Sequence, residues 1–158
     1  MSDAVAIHDW RPEWREHFAR LNLDWLQRYF SVEDIDRRVL GEPEQSILAP
    51  GGHIFFASIG DEVVGTVALL REAEGVYELT KMAVDPAWQG RGIGRRLVEA
   101  AIARFRALQG TRLFLESSRR LAPALHLYAS LGFVDRGLRP DSHYARSDIY
   151  MVWEESGE

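Results

Sequence analysis

Cysteine is missing from this chain of 158 residues. Its absence excludes a disulfide framework, a thiolate metal site and a cysteine nucleophile. Long apolar runs are missing as well, because no stretch approaches the roughly 20 residues that a membrane-spanning helix needs. Residues 1–5 lack a basic region followed by an apolar one, so they do not resemble a secretory signal. We therefore expect a cytoplasmic protein without a membrane partner.

Excess positive charge is also missing. The formal net charge is −5, and Lys81 is the only lysine in the chain. Since a negative chain matches the phosphates of nucleic acid poorly, we expect no nucleic-acid partner. The histidines show no metal-ligand spacing, and we expect no metal. Hydrophobic residues at 46% and charged residues at 27% are typical of a globular protein, and the length indicates one domain over residues 1–158.

The most informative segment begins with an apolar run at 79–84, continues through a glycine-rich loop at 89–95 and leads into a long amphipathic helix. Glycines let the backbone approach an anion closely. The start of a helix points unpaired N–H groups and about half a positive charge toward such an anion. Arg91, Arg95 and Arg96 add full charges at the same place. The segment therefore predicts a binding site for a phosphate-bearing ligand.

Two common phosphate-binding loops do not fit these glycines. A dinucleotide-binding loop needs G-x-G-x-x-G, usually in the first strand–helix turn of a chain. Here the glycines are Gly90, Gly92 and Gly94, with a different spacing and in the middle of the chain. A Walker A loop needs a lysine directly after its last glycine, and no lysine follows this loop. The sequence therefore excludes both nucleotide-binding loops.

The pattern that remains is Gln89-x-x-Gly92-x-Gly94, which resembles the acyl-CoA loop of the GNAT acetyltransferase superfamily. A second segment, 124–133, reads A-x-x-L-Y-x-x-x-G-F and resembles the helix-to-strand element of the same superfamily. Two such motifs in this order, with a strand between them, identify the chain as a member of that superfamily.

The resemblance implies an α/β protein (an α+β mixed sheet) with the GNAT acyl-CoA N-acyltransferase fold. In that fold a central, mostly antiparallel sheet is splayed between strands 4 and 5 and carries about four helices. The hydrophobic pattern of the chain agrees with this layout. We expect strands at residues 4–9, 53–59, 62–70, 76–84, 112–116, 133–136 and 149–153. We expect helices at 11–30, 34–40, 92–108 and 121–131, a capping box from Ser31 to Asp34, and a loop over 41–52.

The resemblance also implies acetyl-CoA (an acylated coenzyme A) as the cofactor, with no metal. Backbone amides of residues 91–95 are expected to cradle its pyrophosphate, and its pantetheine arm is expected to lie along the strand at 82–84. Many members carry an asparagine where this chain has Leu121, and Ser117 or Ser118 is expected to replace its hydrogen bonds. The cofactor-binding residues expected on this basis are Met82, Ala83, Val84, Gln89, Gly90, Arg91, Gly92, Ile93, Gly94, Arg95, Ser117 and Ser118.

Two residues are candidates for catalysis. Tyr128 occupies the position of the superfamily's general acid, and a phenol with a pKa of about 10 can protonate a departing thiolate. Glu78 stands at the offset from the loop where the histone-acetyltransferase branch carries its catalytic glutamate, and half-burial of a carboxylate raises its pKa toward that of a useful base. A purely structural role for Glu78 stays open. Glu116 or a chain of water molecules is the alternative base.

The resemblance locates the acceptor pocket between the first two helices and the last two strands. Trp25 and Tyr29 are one helical turn apart and could form an aromatic cage for an amine. The segment 139–146 is rich in polar groups, including His143. Within it, Arg146 is a candidate to bind a substrate carboxylate through two parallel hydrogen bonds. The substrate-binding residues expected on this basis are Asn22, Trp25, Tyr29, Glu116, Tyr144 and Arg146.

These observations favour a bacterial, cytoplasmic N-acetyltransferase that acetylates a primary amine of a small amino-acid-like or polyamine-like molecule. Glu33 and Glu78 favour a cationic acceptor, whereas Arg146 favours one that also bears a carboxylate. Two alternatives stay open. A protein acetyltransferase acting on an N-terminus or a lysine would have an open acceptor groove, and a non-catalytic module would bind acyl-CoA without turnover. The oligomeric state is also open, with a homodimer formed through edge strands among the options.

Overall fold

The computed structural model describes residues 4–139, 142 and 144–154. Strands β1 to β7 are Val5–Asp9, His53–Ile59, Glu62–Ala73, Val76–Val84, Arg112–Ser117, Phe133–Asp135 and Ile149–Trp153. Helices α1 to α4 are Arg15–Tyr29, Asp34–Gly41, Ile93–Ala107 and Ala122–Ser130. The strands form one sheet in the order β1-β2-β3-β4-β5-β7-β6, which is antiparallel except where β4 meets β5. The predicted mixed sheet is confirmed.

The pairing of β4 with β5 ends early, and this opens the sheet. Only Val76, Tyr77 and Glu78 of β4 are paired with β5, opposite residues 112–114. Beyond that point β4 continues along β3, while β5 continues along β7. The two strands therefore separate after Glu78 and leave a slot between them. The splay predicted between strands 4 and 5 is confirmed.

Helices cover opposite faces of this sheet. On one face α3 presents Leu97, Ala101 and Phe105, whose spacing of four residues puts them on one side of the helix. On the other face α1 presents Phe18 and Leu26, which are buried with β2 and β3. Burial of each large apolar side chain contributes about 1.5–3 kcal/mol relative to its exposure. The sheet therefore lies between two apolar layers.

The segment 41–52, expected to be a loop, contains a helical turn. Residues Glu44–Leu48 form a turn of π-helix that buries Ile47 completely. The chain curls here because Ile47 packs into the apolar core formed with α1 and β2. The start of α1 and the end of β3 also differ from the boundaries expected from the sequence. A short 3-10 turn at Pro12–Trp14 precedes α1, and β3 continues to Ala73 rather than ending at residue 70.

The cap of α2 differs from the expected box between Ser31 and Asp34. The residue before the helix is Glu33, and its backbone N–H donates to Oδ2 of Asp36 at 2.9 Å. Asp34 is exposed and pairs with Arg37 at 2.6 Å. The expectation was wrong because the local pattern does not reveal that Asp36 has no exposed surface.

A bulge in β4 turns Lys81 toward α2. The ladder between β3 and β4 shifts register so that Lys81 and Met82 together oppose the single residue Val67. Lys81 has φ of +57°, in the left-handed region that residues other than glycine seldom adopt. Its Nζ donates to Oδ1 of Asp36 at 2.6 Å. The bulge therefore brings Lys81, the only lysine of the sequence, within hydrogen-bond distance of the buried Asp36.

Four side chains, which we call the Asp36 cluster, join α2, β4 and the segment before β7. They are Glu33, Asp36, Lys81 and Arg146. Arg146 donates to both carboxylate oxygens of Asp36, at 2.9 and 2.8 Å, and to Glu33 at 3.1 Å. Burial by itself would raise the pKa of Asp36, but hydrogen bonds from Arg146 and Lys81 outweigh it and lower the pKa to about 2. The carboxylate is therefore ionised and fully engaged at neutral pH.

We predict that Asp36→Ala destabilises the fold by about 3–5 kcal/mol, because it leaves the buried Lys81 without its carboxylate and Arg146 with Glu33 alone. Asp34→Ala is the matched control and should change stability by no more than about 0.5 kcal/mol, since Asp34 is exposed. Urea unfolding at pH 7 measures both. The lowered pKa makes the contribution of Asp36 complete above pH of about 4 and lost as the pH falls through about 2. Equal effects of the two variants at pH 7 would contradict this assignment.

Candidate active site

The glycine-rich loop after β4 leads directly into α3. Gly90 and Gly92 have φ of 81° and 77°, and Gly92 is the residue immediately before the helix. No atom outside their neighbours lies within 4 Å of where a Cβ would stand on either glycine. The Arg96 N–H bonds to the Gly92 carbonyl at 3.1 Å, so the N–H groups of residues 93–95 precede the helical hydrogen-bond ladder. This geometry is suited to an anion at the start of α3.

A cleft begins at this loop, and some side chains of the loop line it while others do not. Arg95 lines the cleft and donates to the Ser130 hydroxyl at 3.2 Å. Gln89 also lines it and donates to the Val84 carbonyl at 3.4 Å. The guanidinium of Arg91 instead lies over the ring of Trp88, 4.7 Å from its centroid, and does not line the cleft.

The cleft has a volume of about 540 Å³ and runs from the loop through the slot between β4 and β5 to α1. It brings together most of the residues predicted from the sequence. These are Asn22, Trp25, Glu78, Met82, Ala83, Val84, Gln89, Gly90, Gly92, Ile93, Gly94, Arg95, Glu116, Ser117, Ser118, Tyr128, Tyr144 and Arg146. Tyr29, like Arg91, is outside the lining. Its side chain is 40% exposed and contacts the far side of Trp25, with 5.7 Å between ring centroids.

Tyr128 lies on α4 beside the slot. Its ring meets that of Phe133 edge to face at 5.9 Å, which fixes its orientation. Burial raises the pKa of the Tyr128 phenol to about 12. The phenol therefore keeps its proton at neutral pH and can act as a donor. The helix ends as predicted, because Gly132 follows it with φ of +111°.

Glu78 is the last residue of β4 that pairs with β5, so its carboxyl lies where the slot opens. The residue is only 5% exposed. Burial, and after it the neighbouring charge of Glu116, raises the pKa of Glu78 to about 8. A carboxyl with this pKa exchanges a proton near neutral pH, which is the property a general base requires.

Glu116 lies on β5, on the same face of the sheet as Glu78. Its Oε2 accepts a hydrogen bond from Arg139 at 3.2 Å, and Arg139 also contacts both oxygens of Glu72, at 2.9 and 2.8 Å. The other oxygen of Glu116, Oε1, is buried and has no hydrogen-bond partner among the residues that the structure describes. Glu78, Glu72, Glu116 and Arg139 together are called the glutamate cluster below.

Aromatic and amide groups complete the end of the cleft near α1. The rings of Trp25 and Phe30 lie 5.6 Å apart and both line the cleft. Asn22 is buried there, and its amide donates to the Phe18 carbonyl at 3.0 Å. At the other end Leu121 lines the cleft beside Ser118, whose hydroxyl accepts from the Arg120 N–H at 3.2 Å.

Two of the sequence interpretations at this end of the cleft compete with contacts in the structure. Arg146 lines the cleft, but its terminal nitrogens already donate to Asp36 and Glu33. Glu33 is not among the residues that line the cleft, and it also accepts from the Ala145 N–H at 3.2 Å. Both side chains hold the segment before β7 against α2. His143, which was expected to add polar character to this segment, lies outside the described residues.

Sequence reasoning missed four charged residues of the two clusters. Asp36, Glu72, Lys81 and Arg139 belong to these clusters but were not proposed for any role. Lys81 offered a signal, because a lone cation inside the apolar run 79–84 requires a buried partner. The identity of that partner depends on tertiary contacts between segments far apart in the chain.

Neither a metal centre nor a membrane span was found in the described part of the chain. No group of three or more histidine, aspartate or glutamate side chains there is arranged to hold a metal ion. No helix there is both long and apolar enough to cross a membrane.

Relatives of known family share this sequence pattern. The family model of the acetyltransferase (GNAT) family matches residues 7–133. The N-alpha-acetyltransferase RimI of Mycobacterium tuberculosis is 35% identical over 120 residues, which cover 72% of this chain and 73% of that protein. The IAA acetyltransferase of Azospirillum brasilense is 36% identical over 111 residues, which cover 70% of this chain and 71% of that protein.

Solved structures share the fold. An acetyltransferase of the GNAT family from Staphylococcus aureus Mu50 superposes with a TM-score of 0.84 at 20% identity, covering 95% of this chain and 98% of the other. A GNAT family acetyltransferase from Elizabethkingia anophelis, solved with acetyl-CoA bound, superposes with a TM-score of 0.68 at 18% identity, covering 98% and 100%. The chain therefore belongs to the GNAT family and is an N-acetyltransferase of the acyltransferase class.

Proposed function

We propose that this protein transfers the acetyl group of acetyl-CoA to a primary amine of a small molecule, with Glu78 as the base and Tyr128 as the general acid. The observation that carries the proposal is that Glu78 and Tyr128 line the same cleft. A carboxyl with a pKa of about 8 and a phenol with a pKa of about 12 line one cleft, which also contains the free N–H groups at the start of α3.

The cleft fits acetyl-CoA, which when bound supplies an acetyl group activated as a thioester. The N–H groups of residues 93–95 and the charge of Arg95 would hold its pyrophosphate. Among the described residues no strand pairs with β4 at 82–84 on the side of β5, so this edge is suited to bond the amides of an extended pantetheine arm. The open space around Gly90 and Gly92 lets this backbone approach the ligand.

Two proton movements accompany the transfer. The nitrogen of the neutral amine bonds to the acetyl carbon as the carbon–sulfur bond breaks, so the nitrogen must lose a proton and the departing sulfur must gain one. An acceptor that binds as an ammonium ion first releases one further proton to solvent. Glu78 at the mouth of the slot is suited to accept the first proton, because its pKa allows it to be ionised above about pH 8. Tyr128, which lines the same cleft, is suited to donate the second, since its phenol is protonated at neutral pH.

A small acceptor is favoured because the Asp36 cluster fixes the segment before β7 as one wall of the cleft. Arg146 fastens the segment before β7 to α2, and Tyr144 of that segment accepts a hydrogen bond from Lys81 at 3.3 Å. A protein N-terminus is the second candidate, and the 35% identity to an N-alpha-acetyltransferase favours it. Thiol release from acetyl-CoA, measured with small primary amines and with short peptides, distinguishes the two. We expect the amines to be acetylated at least tenfold more efficiently, and the opposite order would assign a protein acceptor.

We predict that Gly92→Ala weakens acetyl-CoA binding by at least tenfold. A side chain at φ of +77° is strained, and relief of that strain moves the N–H groups that face the phosphates. Gly60→Ala is the matched control, because Gly60 has φ of +60°, equally open surroundings and a position in the β2–β3 turn, outside the cleft. Both variants should lose similar stability, and only Gly92→Ala should change the Kd in calorimetry. An unchanged Kd for Gly92→Ala would remove the loop from the binding site.

We predict that Tyr128→Phe lowers kcat about 100-fold, in the range typical of a lost general acid, while the Kd of acetyl-CoA stays within about twofold. Tyr77→Phe is the matched control. It also removes a phenol hydroxyl from a buried tyrosine, one that packs on Phe105 outside the cleft. Steady-state kinetics and calorimetry measure the two quantities. A Tyr128→Phe enzyme as fast as the wild type would exclude Tyr128 as the acid.

We predict that log kcat/KM rises with pH and changes slope near pH 8, where Glu78 becomes ionised. An alkylamine acceptor with a pKa of about 10.4 keeps its own titration separate from this change. Glu78→Gln should lower kcat/KM about 100-fold and remove the change of slope. The measurement is a pH profile from 6 to about 9.5 for both enzymes. The same break in the profile of the variant would assign it to another group.

A further inference from the structure

The cations at the acceptor end of the cleft are already neutralised. In the Asp36 cluster two cations, Lys81 and Arg146, face two carboxylates, Asp36 and Glu33, across contacts of 2.6–3.1 Å. The cluster is therefore balanced in charge. Arg95, a further cation of the cleft lining, lies on α3 at the end where the glycine-rich loop is found. Among the described residues that line the acceptor end, no cation is left over for a carboxylate of the substrate.

The glutamate cluster, in contrast, carries unbalanced negative charge. Arg139 is shared between Glu72 and Glu116, so one guanidinium faces two carboxylates. Glu78 adds a further carboxyl on the same face of the sheet. Oε1 of Glu116 is buried without a donor in the described structure, and burial of such an oxygen is costly unless a ligand supplies a hydrogen bond. The side chain of Glu116 is only 2% exposed, so bulk water does not compensate.

We infer that the acceptor is a primary amine that carries no carboxylate, and that Glu116 binds its ammonium group beside Glu78. This inference rests on the proposed function. An ammonium group has three N–H donors and one positive charge. It therefore supplies both the hydrogen bond that Oε1 lacks and the charge that the glutamate cluster lacks. A carboxylate attached next to the amine would meet the same glutamates, with no cation to receive it.

Binding of the ammonium group favours the ionised form of Glu78, and the ionised form in turn attracts the ammonium group. Burial and the charge of Glu116 together raise the pKa of Glu78 while the acceptor site is empty. A cation bound between the two carboxyls favours the ionised form of Glu78. The base is therefore ready when the acceptor is present. Trp25 and Phe30 line the cleft nearby and suit an apolar or aromatic body attached to the amine.

Matched acceptor pairs test this inference. Each pair contains an amine and the amino acid that differs from it by one carboxylate: phenethylamine and phenylalanine, tyramine and tyrosine, cadaverine and lysine. The wild-type enzyme is assayed with each member at saturating acetyl-CoA, and binding of each member to the CoA complex is measured by calorimetry. We expect the amine of at least one pair to exceed its amino acid tenfold or more in kcat/KM and in affinity. Equal or better performance by the amino acids, or no binding by any amine, would overturn the inference.

Substitutions at Glu116 test whether this residue binds the ammonium group of the acceptor. Glu116→Gln keeps the shape and removes the charge, so we expect KM for the amine to rise at least tenfold and the preference for the amine over its amino acid to shrink. Glu116→Asp retains the charge and should retain the preference. Glu44→Gln is the control, because Glu44 pairs with Arg15 on the surface away from the cleft. An unchanged preference in Glu116→Gln would overturn the assignment, since a merely structural role would alter stability without altering this ratio.

The failure of this inference can be distinguished from the failure of the proposed function. Binding of acetyl-CoA and its slow hydrolysis without an acceptor report on the cofactor site alone. An enzyme that binds acetyl-CoA and acetylates amino acids in preference to amines would retain the proposed function and refute the acceptor class. An enzyme that does not bind acetyl-CoA would refute both.

Discussion

The separation of β4 from β5 after Glu78 is the constraint on which the rest of the structure depends. Backbone groups in a sheet normally pair with a neighbouring strand, and unpaired edges inside a protein are costly. Here the edge of β4 beyond Glu78 faces a cleft, and the N-terminus of α3 faces the same cleft. Two sets of unsatisfied backbone donors and acceptors therefore converge. A ligand with a phosphate end and an amide-bearing chain satisfies both, which explains why the cleft suits a coenzyme A thioester.

Buried charge gives the two clusters beside this slot different chemistry. The Asp36 cluster is balanced in charge, and hydrogen bonds from Arg146 and Lys81 lower the pKa of Asp36 against the effect of burial. The glutamate cluster is unbalanced, and burial together with the charge of Glu116 raises the pKa of Glu78 to about 8. Burial is common to both sites, and the opposite pKa shifts follow from the number of cations that each carboxyl contacts. The first arrangement stabilises the fold, and the second is suited to moving protons.

Local patterns in the sequence predicted most of the fold, but not the charge pairing. Gly92 and Gly132 mark a helix start and a helix end by their backbone requirements, which are properties of single residues. Ile47 was missed because its burial in a π-helical turn depends on contacts with α1 and β2. Arg146 could be recognised as a carboxylate binder, but Asp36, its partner, is 110 positions away. Which carboxylate it binds is decided by the folded chain, and so is the charge that the glutamate cluster leaves for a substrate.

Thermal unfolding of the wild-type protein with acetyl-CoA, CoA and ATP tests the central claim most directly. At 100 times its Kd a ligand stabilises the folded state by about 2.7 kcal/mol, which corresponds to a Tm increase of about 5–10 °C for a domain of this size. The account predicts such an increase with acetyl-CoA and CoA, growing with ligand concentration, and none with ATP. An unchanged Tm at millimolar acetyl-CoA would mean that the slot and the glycine-rich loop do not bind the thioester, which would contradict the account.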